Sequence, residues 1–205
     1  MVENNIEKKF NEFMKENNIE KVISFSGGSD KKEEDVRNII ESSLNQLKIY
    51  NVAILSGGTT WGVPRFATQI AKENNLKTIG VLPSRGIKNK IPNLDLELII
   101  EAKIMNSDYG DESEVFSKIS NGIITIGGSN GTAIEFYHAM KINDRRIRDG
   151  EEPIYIAPIA TIEGFSSEIY KLNSIKNKDL ILPKRKLFDG DTAARYLIEK
   201  LNLRK

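Results

Sequence analysis

Three short stretches set paired glycines beside hydroxyl side chains: Ser26-Gly27-Gly28-Ser29, Ser56-Gly57-Gly58-Thr59-Thr60 and Gly127-Gly128-Ser129-Asn130-Gly131-Thr132. Each follows a brief apolar run and leads into a segment of helical spacing. That arrangement suits the capture of an oxyanion. Glycine lets backbone approach a ligand closely and adopt positive φ. The unpaired N–H groups and positive dipole end of the following helix favour phosphate. Ser29, Thr59, Thr60, Ser129 and Thr132 add further donors. One such turn would serve as a tight strand-to-helix connection; three in one chain argue for a ligand.

Other residues extend this set. Trp61 follows the second turn directly, where its indole either stacks on a base or plugs the helix–sheet junction. Glu135 is expected in the first turn of a helix, where a carboxylate either contacts ligand or answers the helix dipole. Pro83 and Arg85 close a third apolar run and complete the expected pocket. His138 reads as a packing or surface residue, and Arg145, Arg146 and Arg148 as part of a solvated charged loop over 143–153. Lys184-Arg185-Lys186 is too short a basic run to imply nucleic acid.

Several classes of chemistry are excluded. No GxxxxGK[ST] occurs, and no GxGxxG follows the first strand, so the P-loop and dinucleotide fingerprints both fail. The chain has no cysteine and a single histidine, which removes thiolate catalysis, disulfides and Cys-ligated metal. Nothing implies a resident cofactor or metal ion. Thirty basic residues against 29 acidic ones leave a net charge of +1, without the concentrated basic field that a nucleic-acid polymer requires. No secretory leader opens the sequence, and the apolar stretches are strand-sized, well short of the roughly 20 residues of a membrane helix. A cytoplasmic location without membrane attachment is expected.

The elements that must position these residues alternate. Helices are predicted over 3–17, 33–48, a segment after Trp61, 111–120, a segment after Gly131, 165–174 and 190–202. Strands are predicted over 21–26, 51–56, 77–82, 94–102, 122–126 and 154–159. Near-continuous apolar strands such as Val52–Leu55 and Ile123–Ile126 indicate burial on both faces, hence a mostly parallel sheet. The expected fold is a Rossmann-like, doubly wound α/β domain covering 1–205. Its core spans about 21–160, with an N-terminal helix within 1–18 and helices beyond the core to 205. In such sheets ligands bind beyond the carboxyl ends of the strands, near a topological switch point.

Together, Ile54–Thr60 (ILSGGTT), Thr78–Pro83 (TIGVLP) and Gly127–Glu135 (GGSNGTAIE) resemble the Lonely Guy-like, or SLOG, superfamily. That grouping includes proteins once labelled lysine decarboxylases, DNA-processing protein A and the sensing domains of TRPM channels. The third segment is similar to the pattern PGGxGTxxE: Ile126 replaces the proline, and Ser129-Asn130 fills the one-residue gap. The resemblance implies a nucleotide pocket and a homodimer. Its hydrolases also carry an arginine-bearing motif before the helix that precedes the PGG strand. The equivalent Met105–Glu112 has no arginine, although Asp108 and Tyr109 there are candidate ligand contacts.

These readings give one expectation and two alternatives. The expectation is binding or sensing of a nucleotide or nucleotide-derived phosphorylated metabolite. It would be held by Gly27, Gly28, Ser29, Gly57, Gly58, Thr59, Thr60, Trp61, Pro83, Arg85, Asp108, Gly127, Gly128, Ser129, Asn130, Gly131, Thr132 and Glu135. The first alternative is a nucleoside 5′-monophosphate phosphoribohydrolase with Glu135 as its catalytic carboxylate. The second, also implied by resemblance, is a carrier of a phosphorylated cofactor such as molybdenum cofactor.

Overall fold

The apolar runs become strands β1 (Lys21–Gly27), β2 (Val52–Ser56), β3 (Lys77–Pro83), β4 (Leu96–Ile100), β5 (Gly122–Ile126) and β6 (Tyr155–Ile159). They form one sheet in the order β4-β3-β2-β1-β5-β6, with every pairing parallel. The computed structural model describes residues 2–28, 33–102, 110–172 and 174–204.

Alternation along the strands divides the core between the two faces. Ile23, Phe25, Ile54, Ile124 and Ile126 pack on one face against α2 (Glu33–Leu47), α3 (Gly62–Glu73) and α8 (Gly190–Lys200). Val22, Ala53, Leu55, Ile79 and Ile123 pack on the other, with Phe13 of α1 (Val2–Glu16), Phe116 of α4 (Asp111–Ile119) and Phe136 of α5 (Asn130–Arg148). A strand flanked by helices on both sides has no solvated face, which explains the unbroken burial of β2, β5 and β6. The doubly wound Rossmann-like expectation holds, and the sheet is parallel throughout.

Several boundaries differ from the sequence reading. The charged stretch 143–153 is not all loop, because α5 runs on to Arg148. Arg145, Arg146 and Arg148 fall in its last turn, where cations answer the negative dipole end. Asn143 faces inward, its side chain accepting from Ile154 N at 2.7 Å and donating to Ile154 O at 2.9 Å. The segment expected as one helix over 165–174 is a short α6 (Phe165–Glu168) followed by a 3-10 turn. A further short helix, α7 (Lys178–Ile181), was not anticipated; its Ile181 is buried.

Candidate functional site

Strands β2, β3 and β4 build outward from β1 on one side, and β5 and β6 on the other, so the switch point lies between β1 and β5. Gly27 pairs with Ile126 there. Beyond them the two turns come into backbone contact: a Cβ on Gly28 would stand 3.1 Å from Gly128 Cα. Gly128 has φ +84°, and a Cβ on it would lie 2.1 Å from Thr132 Oγ1. A side chain there would collide with that of Thr132.

The same turn is tied down from the far side. Phe165 N donates to Gly128 O at 2.8 Å and Ser166 N to Gly127 O at 2.9 Å. Ser166 Oγ accepts from Gly127 N at 2.8 Å and donates to Ile159 O at 2.7 Å. Gly164 closes on Gly127 and Gly128 so tightly that a Cβ would reach within 2.6 Å of Gly128 O. Sequence reasoning missed Gly164 and Ser166. Their signal was Gly164-Phe165-Ser166, a fourth glycine with a hydroxyl close behind it after a strand.

This packing leaves the start of α5 accessible. Ser129 precedes the helix without making a side-chain cap. The first-turn amides of Asn130, Gly131 and Thr132 therefore have no acceptor within the helix. Ser129, Asn130 and Gly131 are exposed, Thr132 is buried, and a Cβ on Gly131 would find no atom within 4 Å.

A cavity of about 180 Å³ lies at the carboxyl ends of β2 and β3 and reaches α5 at Glu135. Gly57, Thr59 and Trp61 line it from the turn after β2, and Val81, Pro83, Gly86 and Asn89 from the end of β3 and the 3-10 turn beyond. Glu112 and Phe116 of α4 and Glu135 of α5 complete the wall. The second glycine turn is fixed by Ser56 Oγ, which accepts from Gly58 N at 3.1 Å, and by Ile91 N, which donates to Gly58 O at 2.8 Å. Thr60 is exposed, with its N–H on Asn89 O. Trp61 is 46% exposed, so its ring is only partly covered by protein.

Glu135 lies in the second turn of α5, not the first, which removes helix capping as its explanation. It is half-buried, and Ser26 Oγ donates to its Oε2. Burial pushes its pKa up to about 7, with the nearby Glu112 charge adding to the rise and the Ser26 hydrogen bond opposing it. Glu112 itself accepts from Gly110 N at 2.8 Å. A carboxylate poised near neutrality can hold or release a proton at physiological pH.

The structure thus gathers Gly57, Thr59, Trp61, Pro83 and Glu135 around one cavity. It places Gly27, Gly28, Gly127 and Gly128 at the switch point, and Ser129 to Thr132 at the start of α5. Arg85 is exposed on the 3-10 turn and does not line the cavity. Ser29, Asp108 and Tyr109 lie outside the described residues. Arg146 donates to Lys118 O near the far end of α5, roughly 24 Å along the helix from Asn130. His138 is half-buried on α5. Among the described residues, no group of three or more His, Cys, Asp or Glu is placed to hold a metal ion, and no helix is long and apolar enough to cross a membrane.

Known structures share this architecture. The protein TM1055 superposes with a TM-score of 0.69 at 18% identity, covering 88% of this chain and 99% of its own. The molybdenum cofactor carrier protein of Chlamydomonas reinhardtii gives 0.62 at 19% identity, over 89% of this chain and 99% of its own. The molybdenum cofactor binding protein of Rippkaea orientalis gives 0.59 at 20% identity, over 89% and 98%. These similarities establish a common fold. No curated protein matches the chain by sequence. The profile of the SLOG cluster4 family matches residues 20–148, which take in β1 through α5 and every residue lining the cavity. The chain belongs to the SLOG cluster4 family.

Proposed function

We propose that the protein binds a nucleotide or nucleotide-derived phosphorylated metabolite and releases it intact. The observation that carries this reading is the pairing of two features at the carboxyl ends of the strands. One is an uncapped α5 start with open space beside Gly131. The other is the cavity with Trp61 and, from the second turn of the same helix, Glu135 in its wall. The helix start suits a phosphate, and the cavity suits the ring or sugar attached to it.

Binding without cleavage is favoured over phosphoribohydrolysis because no arginine or lysine lines the cavity among the described residues, whereas Glu112 stands at the end of the segment where the resembling hydrolases bear an arginine. A carboxylate there cannot hold the phosphate of a nucleoside monophosphate. The second reading, a carrier for a phosphorylated cofactor, draws support from the shared fold with the two molybdenum cofactor proteins. It uses the same site.

The test incubates the protein with a panel of nucleoside 5′-monophosphates, measuring binding by thermal shift and free base by chromatography. A ligand at about 100 times its Kd adds roughly 2.7 kcal/mol of stability. Stabilisation with intact nucleotide recovered is the expected result. Base release that Glu135→Gln abolishes would establish the hydrolase instead.

A further inference from the structure

We infer that a second ligand site lies between α1 and α4, at the amino ends of the strands, and takes an amphipathic carboxylate: an apolar chain or ring ending in one carboxylate group. The space is a cavity of about 500 Å³, inside the roughly 300–1,000 Å³ range of small-molecule sites. Its lining residues Glu20 and Asn121 immediately precede β1 and β5, which sets it at the opposite end of the sheet from Gly28 and Gly128. One wall is α1, which ends at Glu16, ahead of the stretch 20–148 matched by the family profile. The cavity is thus formed by the family domain together with an element outside it.

Burial sorts the wall into an interior and a rim. Ile6, Phe10 and Met14 of α1 and Val115 and Ile119 of α4 line the space, and all five are half-buried. Each set is spaced four residues apart, so it forms one stripe of its helix. Phe13 anchors α1 in the core, while these five side chains only edge it. A ligand's apolar body would remove their remaining surface from water. Glu7, Glu20, Glu114 and Lys118 also line the cavity but are exposed. They stand at the rim, where solvent and salt screen their charges.

Two half-buried polar side chains in the wall supply the head-group chemistry, and both are held in place. Asn121 Oδ1 accepts from Val22 N at 2.8 Å, which pins the side chain and leaves its amide N–H groups as donors. Arg146 donates from one terminal nitrogen to Lys118 O at 3.0 Å, using one of five N–H groups. Burial holds the Arg146 guanidinium below its ordinary 12.5, with the Glu151 charge opposing the fall, Arg145 adding to it and Glu152 opposing it; the group stays cationic. Glu151 is also paired with Arg145 at 3.6 Å, and Glu152 with Lys21 at 2.6 Å. The counter-charge near Arg146 is therefore shared with two other cations. A partly desolvated guanidinium gains most from a carboxylate, which accepts two parallel hydrogen bonds from it. A neutral or cationic head would not answer that charge.

Titration calorimetry of the full chain at neutral pH provides the test, with decanoate, phenylbutyrate, decanol and decylamine as probes. Decanoate or phenylbutyrate should bind about tenfold or more tighter than decanol and decylamine, and the tighter acid tells a chain from a ring. In Arg146→Gln that preference should fall close to one, with decanol affinity unchanged. Val115→Trp fills the space and should weaken every probe. A readout on the unaltered chain locates the site: in NMR spectra of methyl-labelled methionine, the Met14 signal, identified by its loss in Met14→Leu, should move as the preferred acid is added. Binding that leaves Met14 unmoved would overturn the inference. So would failure of both acids to bind, equal affinity for decanol, or a preference that survives Arg146→Gln. Broadening of the Met14 signal with protein concentration alone would overturn it in favour of a second copy of the chain on this face.

Discussion

Replacing Glu135 by glutamine should make the protein's stability less sensitive to pH across a defined window. Burial and the Glu112 charge raise the Glu135 carboxyl from its ordinary 4.5 to about 7 in the folded chain. Between those values the folded state holds a proton that the unfolded state has already released. By linkage the wild type must lose stability as pH climbs through this window. The loss is absent below about pH 4.5 and complete above about pH 7. At 1.36 kcal/mol per pH unit it amounts to about 3 kcal/mol, or roughly 6–12 °C in Tm for a chain of this size. Glutamine keeps an acceptor for the Ser26 hydroxyl but has no proton to lose. The assay is urea unfolding of both proteins from pH 4.5 to 8.5, with the difference plotted so that the other titrations largely cancel. Glu135→Gln should gain about 3 kcal/mol relative to wild type between the ends of that range. A flat difference would refute the claim that this carboxyl is poised near neutrality. Glu112→Gln should narrow the window but not abolish it, since burial is the larger cause.

Gly131→Val and Gly128→Val separate ligand contact from architecture. The first finds open space and should change stability by less than about 1 kcal/mol while weakening phosphate-bearing ligands at least tenfold in titrations. The second drives a side chain into Thr132 at φ +84° and should cost more than about 2 kcal/mol in chemical denaturation. Gly190→Ala would set a Cβ 1.8 Å from Ile39 O at the α2–α8 contact; a loss of about 1–3 kcal/mol is expected, read as a lower Tm with ligand affinity unchanged. The homodimer implied by family resemblance would cover the exposed Ile134 and Tyr137 on α5. Light scattering should then show a dimer that Tyr137→Glu dissociates, and a monomeric wild type would remove that expectation.

What could be read from the sequence follows physical range. Strands buried on both faces announce themselves as apolar runs, so six strands and a mostly parallel sheet are legible in the sequence, and the fold makes every pairing parallel. The end of α5 was not. Arg145, Arg146 and Arg148 are charged because a helix C-terminus tolerates cations, and the same composition describes a loop. The inward role of Asn143 depends on Ile154, across a turn. The site divides in the same way. Gly57, Thr59, Trp61, Pro83 and Glu135 carry local signatures of turn or motif. Glu112 ends the segment that lacks the family's arginine, and nothing local marks it as a cavity residue; the cavity includes it because α4 packs against β3 and α5.

Packing also changes what the paired glycines mean. From spacing alone, all three turns read as ligand cradles. In the fold, the first and third meet each other: Gly28 abuts Gly128, and Ser166 takes up the N–H of Gly127. Their missing side chains let β1 and β5 close at the switch point and aim α5 outward, which leaves its first-turn amides uncapped. In the proposed site a glycine pair would thus serve the ligand without touching it, by fixing the direction of the helix that is proposed to hold the phosphate. The second turn acts differently, because Gly57 faces the cavity directly while Gly58 is held by Ser56 and Ile91. Substitutions at Gly28 and Gly128 should therefore impair binding only together with stability. Those at Gly57 and Gly131 should separate the two, since a Cβ at Gly57 would meet nothing closer than Pro64 at 3.5 Å.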